Sequence, residues 1–245
     1  MIKIGSATNR GIKRKDSPNQ DSVEVVMPSL FNRHPPLLIV ADGMGGYEGG
    51  AIASKLVIES LKEWYLKAKL QVDYCDVLRQ GVLAAHHAIL EKSQQSEELA
   101  KMGSTVVAAV LQPRSLCLCN VGDSRAYIIN AREIRQVSYD HSFVGEQLRL
   151  GLITAEEAQN HPRRNILTQS LSAQRGEINP YLTRIDLEQE DIVLLCSDGL
   201  WGPVPESQIQ SIALELDPQS AADRLVEMAN DNEGPDNISV IVARQ

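Results

Sequence analysis

One stretch, Leu37 to Gly46, constrains this chain more than any other, because an apolar run there ends in an aspartate and then in glycines. An apolar run bounded by Pro36 and by a glycine-rich segment predicts a buried strand whose last residue is Asp42. A buried carboxylate is costly unless a hydrogen-bonding partner or a cation neutralises it. The glycines free the backbone to turn, so the carbonyl of Gly43 could be an additional oxygen ligand. The stretch alone leaves two interpretations open: a metal site, or a strand that ends in a tight turn capped by Asp42.

Composition limits the class of protein. With 245 residues, of which 43% are hydrophobic, the chain is expected to form one domain over residues 1–245. The net charge of -8 argues against a nucleic-acid-binding surface. No apolar segment reads as a membrane span or a signal peptide, so we expect a cytoplasmic protein without membrane contact. The cysteines have neither disulfide-framework nor zinc-site spacing and are expected to be reduced and mostly buried; they are Cys75, Cys117, Cys119 and Cys196.

The order of the predicted elements indicates an α+β fold. Residues with period-two alternation or short apolar runs predict strands at 2–8, 21–26, 37–42, 105–111, 115–121, 125–129, 133–137, 181–185, 191–196 and 238–243. Helical periodicity and capping signals predict helices at 51–67, 76–94, 142–150, 206–216 and 218–230. Because alternating βαβ units are absent, helices packed on antiparallel sheets are favoured.

Three local expectations concern polar residues near the helices. On the helix at 76–94, the apolar stripe leaves His86 and His87 away from the centre of the buried face, and a metal role for them is not expected. Asp140 is expected to cap the short helix at 142–150. Thr154 to Glu157 fit a capping box for another helix.

Five acidic residues stand apart from the other Asp and Glu residues, because each lies where a predicted strand meets a turn. Strand ends on one side of a sheet converge, so carboxylates there repel one another unless cations neutralise them. An all-oxygen ligand set suits Mg²⁺ or Mn²⁺, whereas zinc and copper prefer His and Cys ligands. The five residues are Asp21, Asp42, Asp123, Asp198 and Asp236.

Six short motifs are spread along the chain. They are Asn19-Gln20-Asp21, Asp42-Gly43-Met44-Gly45-Gly46, Gly103-Ser104-Thr105, Gly122-Asp123-Ser124-Arg125, Ser197-Asp198-Gly199-Leu200-Trp201 and Asp236-Asn237. In this order they resemble the PPM family, the metal-dependent type 2C protein serine/threonine phosphatases. The resemblance runs from about residue 5 to residue 242, is closest to compact bacterial members, and is specific because six motifs occur in register.

The resemblance implies a four-layer α/β/β/α sandwich, in which two antiparallel sheets are flanked by helices and two Mn²⁺ or Mg²⁺ ions bind at one edge. By the same resemblance, Asp42 would bridge both ions. Asp198 and Asp236 would complete the first ion's site, and the Gly43 carbonyl would contact the second ion.

Two further acids have roles implied by the resemblance and alternatives that remain open. Asp21 would orient metal-bound water, or it is an acid that caps a turn. Asp123 would form a third, weaker metal site together with Asp198, or it is a hairpin residue in an Asp-Ser turn.

The implied reaction is hydrolysis of phosphoserine or phosphothreonine on proteins by a hydroxide that bridges the two ions, without a phosphoenzyme. Arg14 is the best match to the family's phosphate-binding arginine; Lys13 or Lys15 could replace it, and a solvated basic loop is the alternative. Met44 stands where many relatives have a histidine proposed to protonate the leaving alcohol, and a thioether cannot donate a proton. Our hypothesis is that water on the third metal, near Asp123, supplies it.

The segment from about residue 140 to residue 176 corresponds to the family's mobile flap, where substrate choice is expected to lie. The implied partners are phosphorylated proteins, such as a serine/threonine kinase or its substrates, and we expect a monomer. Two other functions stay open. One is a catalytically silent PPM-like domain that binds phosphoproteins or a partner. The other is a nucleotide-binding glycine loop at residues 43–50, although that loop lacks the Lys-Ser/Thr of a P-loop.

Overall fold

The structure is a computed structural model that describes residues 2–30, 32–46, 48–70, 72–174 and 176–244. These residues form two antiparallel sheets with helices on both outer faces, which confirms the predicted four-layer α/β/β/α sandwich. The strands are β1 (Lys3–Asn9), β2 (Asp21–Val26), β3 (Leu37–Met44), β4 (Gly103–Ser104), β5 (Val106–Gln112), β6 (Ser115–Val121), β7 (Arg125–Ile129), β8 (Ile134–Gln136), β9 (Leu171–Ser172), β10 (Tyr181–Asp186), β11 (Ile192–Cys196) and β12 (Ile238–Arg244). The α-helices are α1 (Gly49–Lys67), α2 (Tyr74–Ser93), α3 (Phe143–Arg149), α4 (Ala155–Asn160), α5 (Asp198–Trp201), α6 (Glu206–Glu215) and α7 (Pro218–Asp231).

The strand order of the two sheets determines where the acids at the strand ends lie. The first sheet has the order β1-β12-β11-β7-β8, and the second has the order β10-β6-β5-β3-β4-β9, with β2 also paired to β3. β3 therefore lies between β2 and β5 and is held on both sides. None of the described helices combines the length and the apolar character that crossing a bilayer requires.

Three apolar layers fill the molecule. Helices α1 and α2 cover the outer face of the second sheet, α6 and α7 cover that of the first, and a third layer lies between the sheets. In β3 the alternation is plain: Leu37 and Ile39 pack beneath the helices, whereas Leu38 and Val40 pack between the sheets. Asp42 follows Leu38 and Val40 on the same face of β3. The alternation of the strand therefore places its carboxylate at the end of the apolar layer between the sheets.

β3 continues two residues beyond Asp42, so the prediction that Asp42 ends the strand was wrong. The extension pairs with β4, where Gly43 lies opposite Ser104. A side chain at Gly43 cannot be accommodated, because its Cβ would lie 2.0 Å from the carbonyl oxygen of Gly50. The first turn of α1 therefore packs directly against the strand that carries Asp42.

Two predictions about polar residues near the helices were also wrong. His86 is only 3% exposed, because α2 packs against α1 and the second sheet, and its Nε2 lies 3.1 Å from the carbonyl oxygen of Gly176. Asp140 does not cap α3; the Oγ of Ser142 accepts the capping hydrogen bond from the N–H of Gly145. Both residues contact segments that are distant in the chain, and helical periodicity does not predict such contacts.

Two smaller predictions are confirmed. Thr154 and Glu157 form a capping box at the start of α4. All four cysteines are free, and all but Cys75 are buried.

Candidate metal centre

The layer between the sheets ends in polar side chains at one end of the sandwich. Asp21 of β2 lies directly opposite Asp42 of β3, so both carboxyl groups lie on the same side of the sheet. The Oγ of Ser197, the residue after β11, donates a hydrogen bond of 2.8 Å to Oδ2 of Asp21. The two sheets thus meet at this pair of acids.

Three more acids come from the connections around this end. Asp123 lies in the turn between β6 and β7, Asp198 is the first residue of α5, and Asp236 precedes β12. Together with Asp42 they line a cavity of about 600 Å³. Asp21 lies close enough for its charge to raise the pKa of Asp42. We call these five residues the carboxylate rim.

Burial and repulsion between neighbouring carboxylates raise the pKa of four rim acids. Burial, with a contribution from the charge of Asp198, raises the pKa of Asp21 to about 7 and that of Asp123 to about 8. Burial and the charge of Asp236 raise the pKa of Asp198 to about 6. The pKa of Asp42 is raised well above its ordinary value by burial and by the other four acids. Carboxylates that leave water and face one another bind protons more tightly, and they would bind cations for the same reason.

Two buried rim oxygens, Oδ1 of Asp21 and Oδ1 of Asp198, have no hydrogen-bond partner among the described residues. Native proteins rarely leave a buried polar atom in this state. An all-oxygen donor set fits a hard divalent cation such as Mn²⁺ or Mg²⁺. In the described part of the chain no three rim carboxylates offer oxygens that all lie within 4.8 Å of one another, so an ion here would keep water among its ligands.

The basic loop before β2 reaches the same cavity. Nη2 of Arg14 donates a hydrogen bond of 2.8 Å to Oδ2 of Asp236, and both residues line the cavity. Lys13 also lines it and is paired with Glu233. Lys15 instead lines a separate pocket. Of the two lysines named as substitutes for Arg14, only Lys13 is therefore at the cavity.

Sequence reasoning missed a group of residues that supports Asp123. Nε1 of Trp201 donates a hydrogen bond of 3.0 Å to the backbone oxygen of Asp123. The guanidinium of Arg125 lies 3.6 Å from the centre of the Trp201 ring and donates to both carboxylate oxygens of Asp140, with a shortest distance of 2.7 Å. Arg125 and Trp201 lie inside two of the six motifs, and this position in the sequence could have identified them as functional residues.

Thr105 supports the backbone of Asp42. Its Oγ1 accepts a hydrogen bond from the N–H of Asp42 at 3.2 Å, and its own N–H donates to the Asp42 carbonyl at 2.8 Å. The Oγ1 also bonds to Oγ of Ser124 at 2.7 Å. The motif that contains Thr105 therefore acts on the site through the backbone of β3.

The segment at 140–176 forms part of the cavity wall. Asn165 and Leu167 line the cavity, and Leu167 forms a backbone bridge with Ser142. Met44, which stands where a proton donor was expected from the resemblance, lines it as well. The cavity thus has rim acids on one side, basic residues on another, and part of the 140–176 segment beside them.

Three comparisons with known proteins indicate the same family. The family profile described as Protein phosphatase 2C matches residues 10–239. The serine/threonine phosphatase stp of Listeria monocytogenes is 36% identical over 214 residues, which are 86% of this chain and 84% of that protein. The crystal structure of the serine/threonine phosphatase Stp1 from Staphylococcus aureus has a TM-score of 0.91 at 33% identity, covering 100% of this chain and 95% of that one. The catalytic domain of the phosphatase PstP, in complex with two manganese ions, has a TM-score of 0.86 at 32% identity, covering 99% and 97%.

Proposed function

The chain belongs to the protein phosphatase 2C family, and from that premise we propose that it hydrolyses phosphoserine and phosphothreonine on proteins with the help of divalent cations. One observation supports this function above the others: four rim acids, Arg14 and Lys13 share one open cavity, and two rim oxygens have no partner among the described residues. A phosphate monoester is itself anionic, so acids alone would repel it. Bound cations would offset the negative charge of the acids, so that the cavity attracts the phosphate.

We propose that Asp42, Asp198 and Asp236 hold a pair of Mn²⁺ or Mg²⁺ ions, with the carbonyl of Gly43 as a further ligand. Support comes from the shared cavity and from the two manganese ions in the similar PstP domain. Asp123, which lines the same cavity, would help Asp198 to hold a third ion. When bound, the pair of ions supplies an activated water as nucleophile at neutral pH and offsets the charge of the phosphate.

The remaining residues would position water and substrate. Ser197 holds Oδ2 of Asp21, which leaves Oδ1 to orient the attacking water. Asp236 holds one nitrogen of Arg14, and the other donors of the guanidinium are available for phosphate oxygens. Lys13 adds a second positive charge from the same loop.

The proton for the leaving alcohol cannot come from Met44, although this residue lines the cavity, because a thioether has no proton to donate. We propose that it is supplied on the Asp123 side of the cavity. Asp123→Ala should then slow the hydrolysis of alkyl phosphate monoesters far more than that of p-nitrophenyl phosphate, because nitrophenolate leaves without protonation. Equal losses on both substrates would contradict this assignment.

The function is tested by turnover of p-nitrophenyl phosphate and of a phosphothreonine peptide, with manganese, with chelator, and with Asp42→Asn. We expect chelator and Asp42→Asn each to reduce turnover on the order of a thousandfold, since both remove the activated water. A circular-dichroism spectrum controls for folding. Activity that survives both changes would contradict the proposal.

The competing function is a silent domain that binds phosphoproteins without turnover. A protein that binds the phosphopeptide but stays inactive after manganese addition would favour it. We further propose that the substrates include a serine/threonine kinase or its phosphorylated targets, by analogy with relatives named as serine/threonine phosphatases. Cytoplasmic location, a monomeric state and a single domain with a flap at 140–176 stay predictions.

A further inference from the structure

A pair of thiols lies where the N-terminus of α2 meets β6 and β10, and these three elements contribute no residue to the cavity wall. The Sγ atoms of Cys75 and Cys117 and a carboxylate oxygen of Asp73 all lie within 4.8 Å of one another. Cys75 is partly exposed and Cys117 is fully buried. Arg184 of β10 lies opposite Cys117 in the sheet and donates a hydrogen bond of 2.7 Å to Asp73.

The surroundings favour one thiolate in this pair. A hydrogen bond from Cys75, assisted by the charge of Arg184, lowers the pKa of Cys117 to about 7. The same contact and burial raise the pKa of Cys75, which therefore keeps its proton, and its Sγ also lies 3.8 Å from the carbonyl oxygen of Thr183. Cys75 is also the second residue of a long helix, where the helix dipole favours negative charge. A thiol in contact with a thiolate is the arrangement from which disulfides form.

The same residues argue against a metal ion in this cluster. The guanidinium of Arg184 brings a positive charge to Asp73 and acts on both thiols. A cation would have to displace that guanidinium before it could reach the carboxylate. The cluster therefore suits an uncharged electrophile better than a cation.

We propose that Cys75 and Cys117 are a modification site that hydrogen peroxide, or an organic hydroperoxide, oxidises to a reversible disulfide. Transfer of the Cys75 proton to the buried Cys117 thiolate leaves the more exposed sulfur as a thiolate. The Cys75 thiolate then bonds to one peroxide oxygen and the O–O bond breaks. The hydroxide released takes the proton of Cys117 and leaves as water. The Cys117 thiolate then attacks the sulfur of the Cys75 sulfenic acid and displaces hydroxide, which takes a proton from solvent. The two thiols are oxidised, and the peroxide is reduced to two waters.

Peptide mapping of the peroxide-treated full chain tests this site. After residual thiols are alkylated, we expect a peptide that links Cys75 to Cys117, an intact mass lower by two hydrogens, and reversal of both by dithiothreitol. Cys75→Ser and Cys117→Ser should abolish the link. Cys119→Ala, which removes a buried thiol two residues further along the same strand, should retain it.

The rate of cross-linking tests the role of Arg184. Arg184→Met should slow it several-fold, because loss of the guanidinium raises the pKa of Cys117 and lowers the thiolate fraction of the pair. A link that forms at the same rate in Arg184→Met would overturn the assisted mechanism.

Two results with unmodified protein would overturn the site itself. One is oxidation of Cys75 alone to a sulfinic acid without a link to Cys117. The other is purified protein that retains zinc at these thiols and is protected from peroxide by it. Because the readout is mass and not turnover, the outcome is independent of the proposed phosphatase activity, and mapping of the wild-type chain suffices if a cysteine variant fails to fold.

Discussion

Buried acids in this molecule fall into two contrasting groups. Asp140 and Asp191 have partners on both carboxylate oxygens: Asp140 accepts from Arg125, and Asp191 accepts from the side chain of Asn130 and the backbone N–H of Glu188. In the carboxylate rim, by contrast, Asp21 and Asp198 each keep a buried oxygen without a partner among the described residues.

This difference distinguishes acids whose partners are supplied by the chain from acids that we propose bind a ligand. A buried charge is tolerated when the chain supplies its counter-charge and hydrogen bonds, as Arg125 does for Asp140. The rim has less compensation: Arg14 and the backbone N–H of Asn237 donate to Asp236 and Ser197 donates to Asp21, but one oxygen each of Asp21 and Asp198 has no partner among the described residues. The missing partners are therefore expected from outside the chain, and each experiment below tests whether the two groups behave differently.

The largest contrast should come from replacing one acid of each group by its amide. Asp198→Asn should lower turnover of p-nitrophenyl phosphate about a thousandfold, an increase of about 4 kcal/mol in the barrier. Its metal-free thermal midpoint should stay the same or rise, because a repelling charge is removed. Asp191→Asn should leave turnover unchanged but lower the free energy of unfolding by about 1–3 kcal/mol, because its new amide nitrogen would face a donor. Similar results for both variants, in kinetics and urea unfolding, would contradict the distinction between the two groups of acids.

A stability test addresses the paired group. Arg125→Gln leaves Asp140 buried without its counter-charge and should lower the free energy of unfolding by about 3–5 kcal/mol. Arg135→Gln is the matched control, since its pair with Glu133 is exposed and should be worth at most about 1 kcal/mol. Denaturant unfolding of the two variants measures both changes in the free energy of unfolding. If both lose equally little, Asp140 does not depend on Arg125.

Substrate binding should distinguish two basic residues of one loop. Arg14→Ala should raise the KM for phosphate monoesters about tenfold or more, because a charge-assisted hydrogen bond to phosphate is lost. Lys15→Ala should leave the KM unchanged, because Lys15 lines a different pocket. Steady-state kinetics at saturating manganese would measure both. A larger effect at Lys15 would contradict the assignment of Arg14.

The smallest expected effect is a pH dependence of stability in chelator-treated protein. The folded-state pKa values of Asp21 and Asp123, about 7 and about 8, lie above the ordinary value of 3.8, so the folded state holds protons that the unfolded state has released. The free energy of unfolding should therefore fall as pH rises between these limits, by up to about 1.4 kcal/mol per pH unit for each group. Manganese should reduce the slope, and Asp21→Asn should remove part of it. A slope that is the same with and without manganese would contradict the prediction.

Much of the fold could be predicted because its signals are local. The bounds of β2, β6 and β7 agree residue by residue with the predicted strands, since alternation and flanking turn residues lie within the segments themselves. The rim acids were identified from the same local signal, as carboxylates where a predicted strand meets a turn, whereas their roles came from the resemblance to the PPM family.

The chain's own order of residues determined the strands, the helices and the acids that follow apolar runs, because burial period and turn chemistry act over a few neighbours. Only the tertiary structure decided which polar groups meet. Arg125 binds Asp140 instead of leaving it to cap α3, His86 reaches the carbonyl of Gly176, and Cys75 lies against Cys117. Such contacts join residues that are far apart in the chain, and they depend on strand register and helix packing, which no short segment encodes alone.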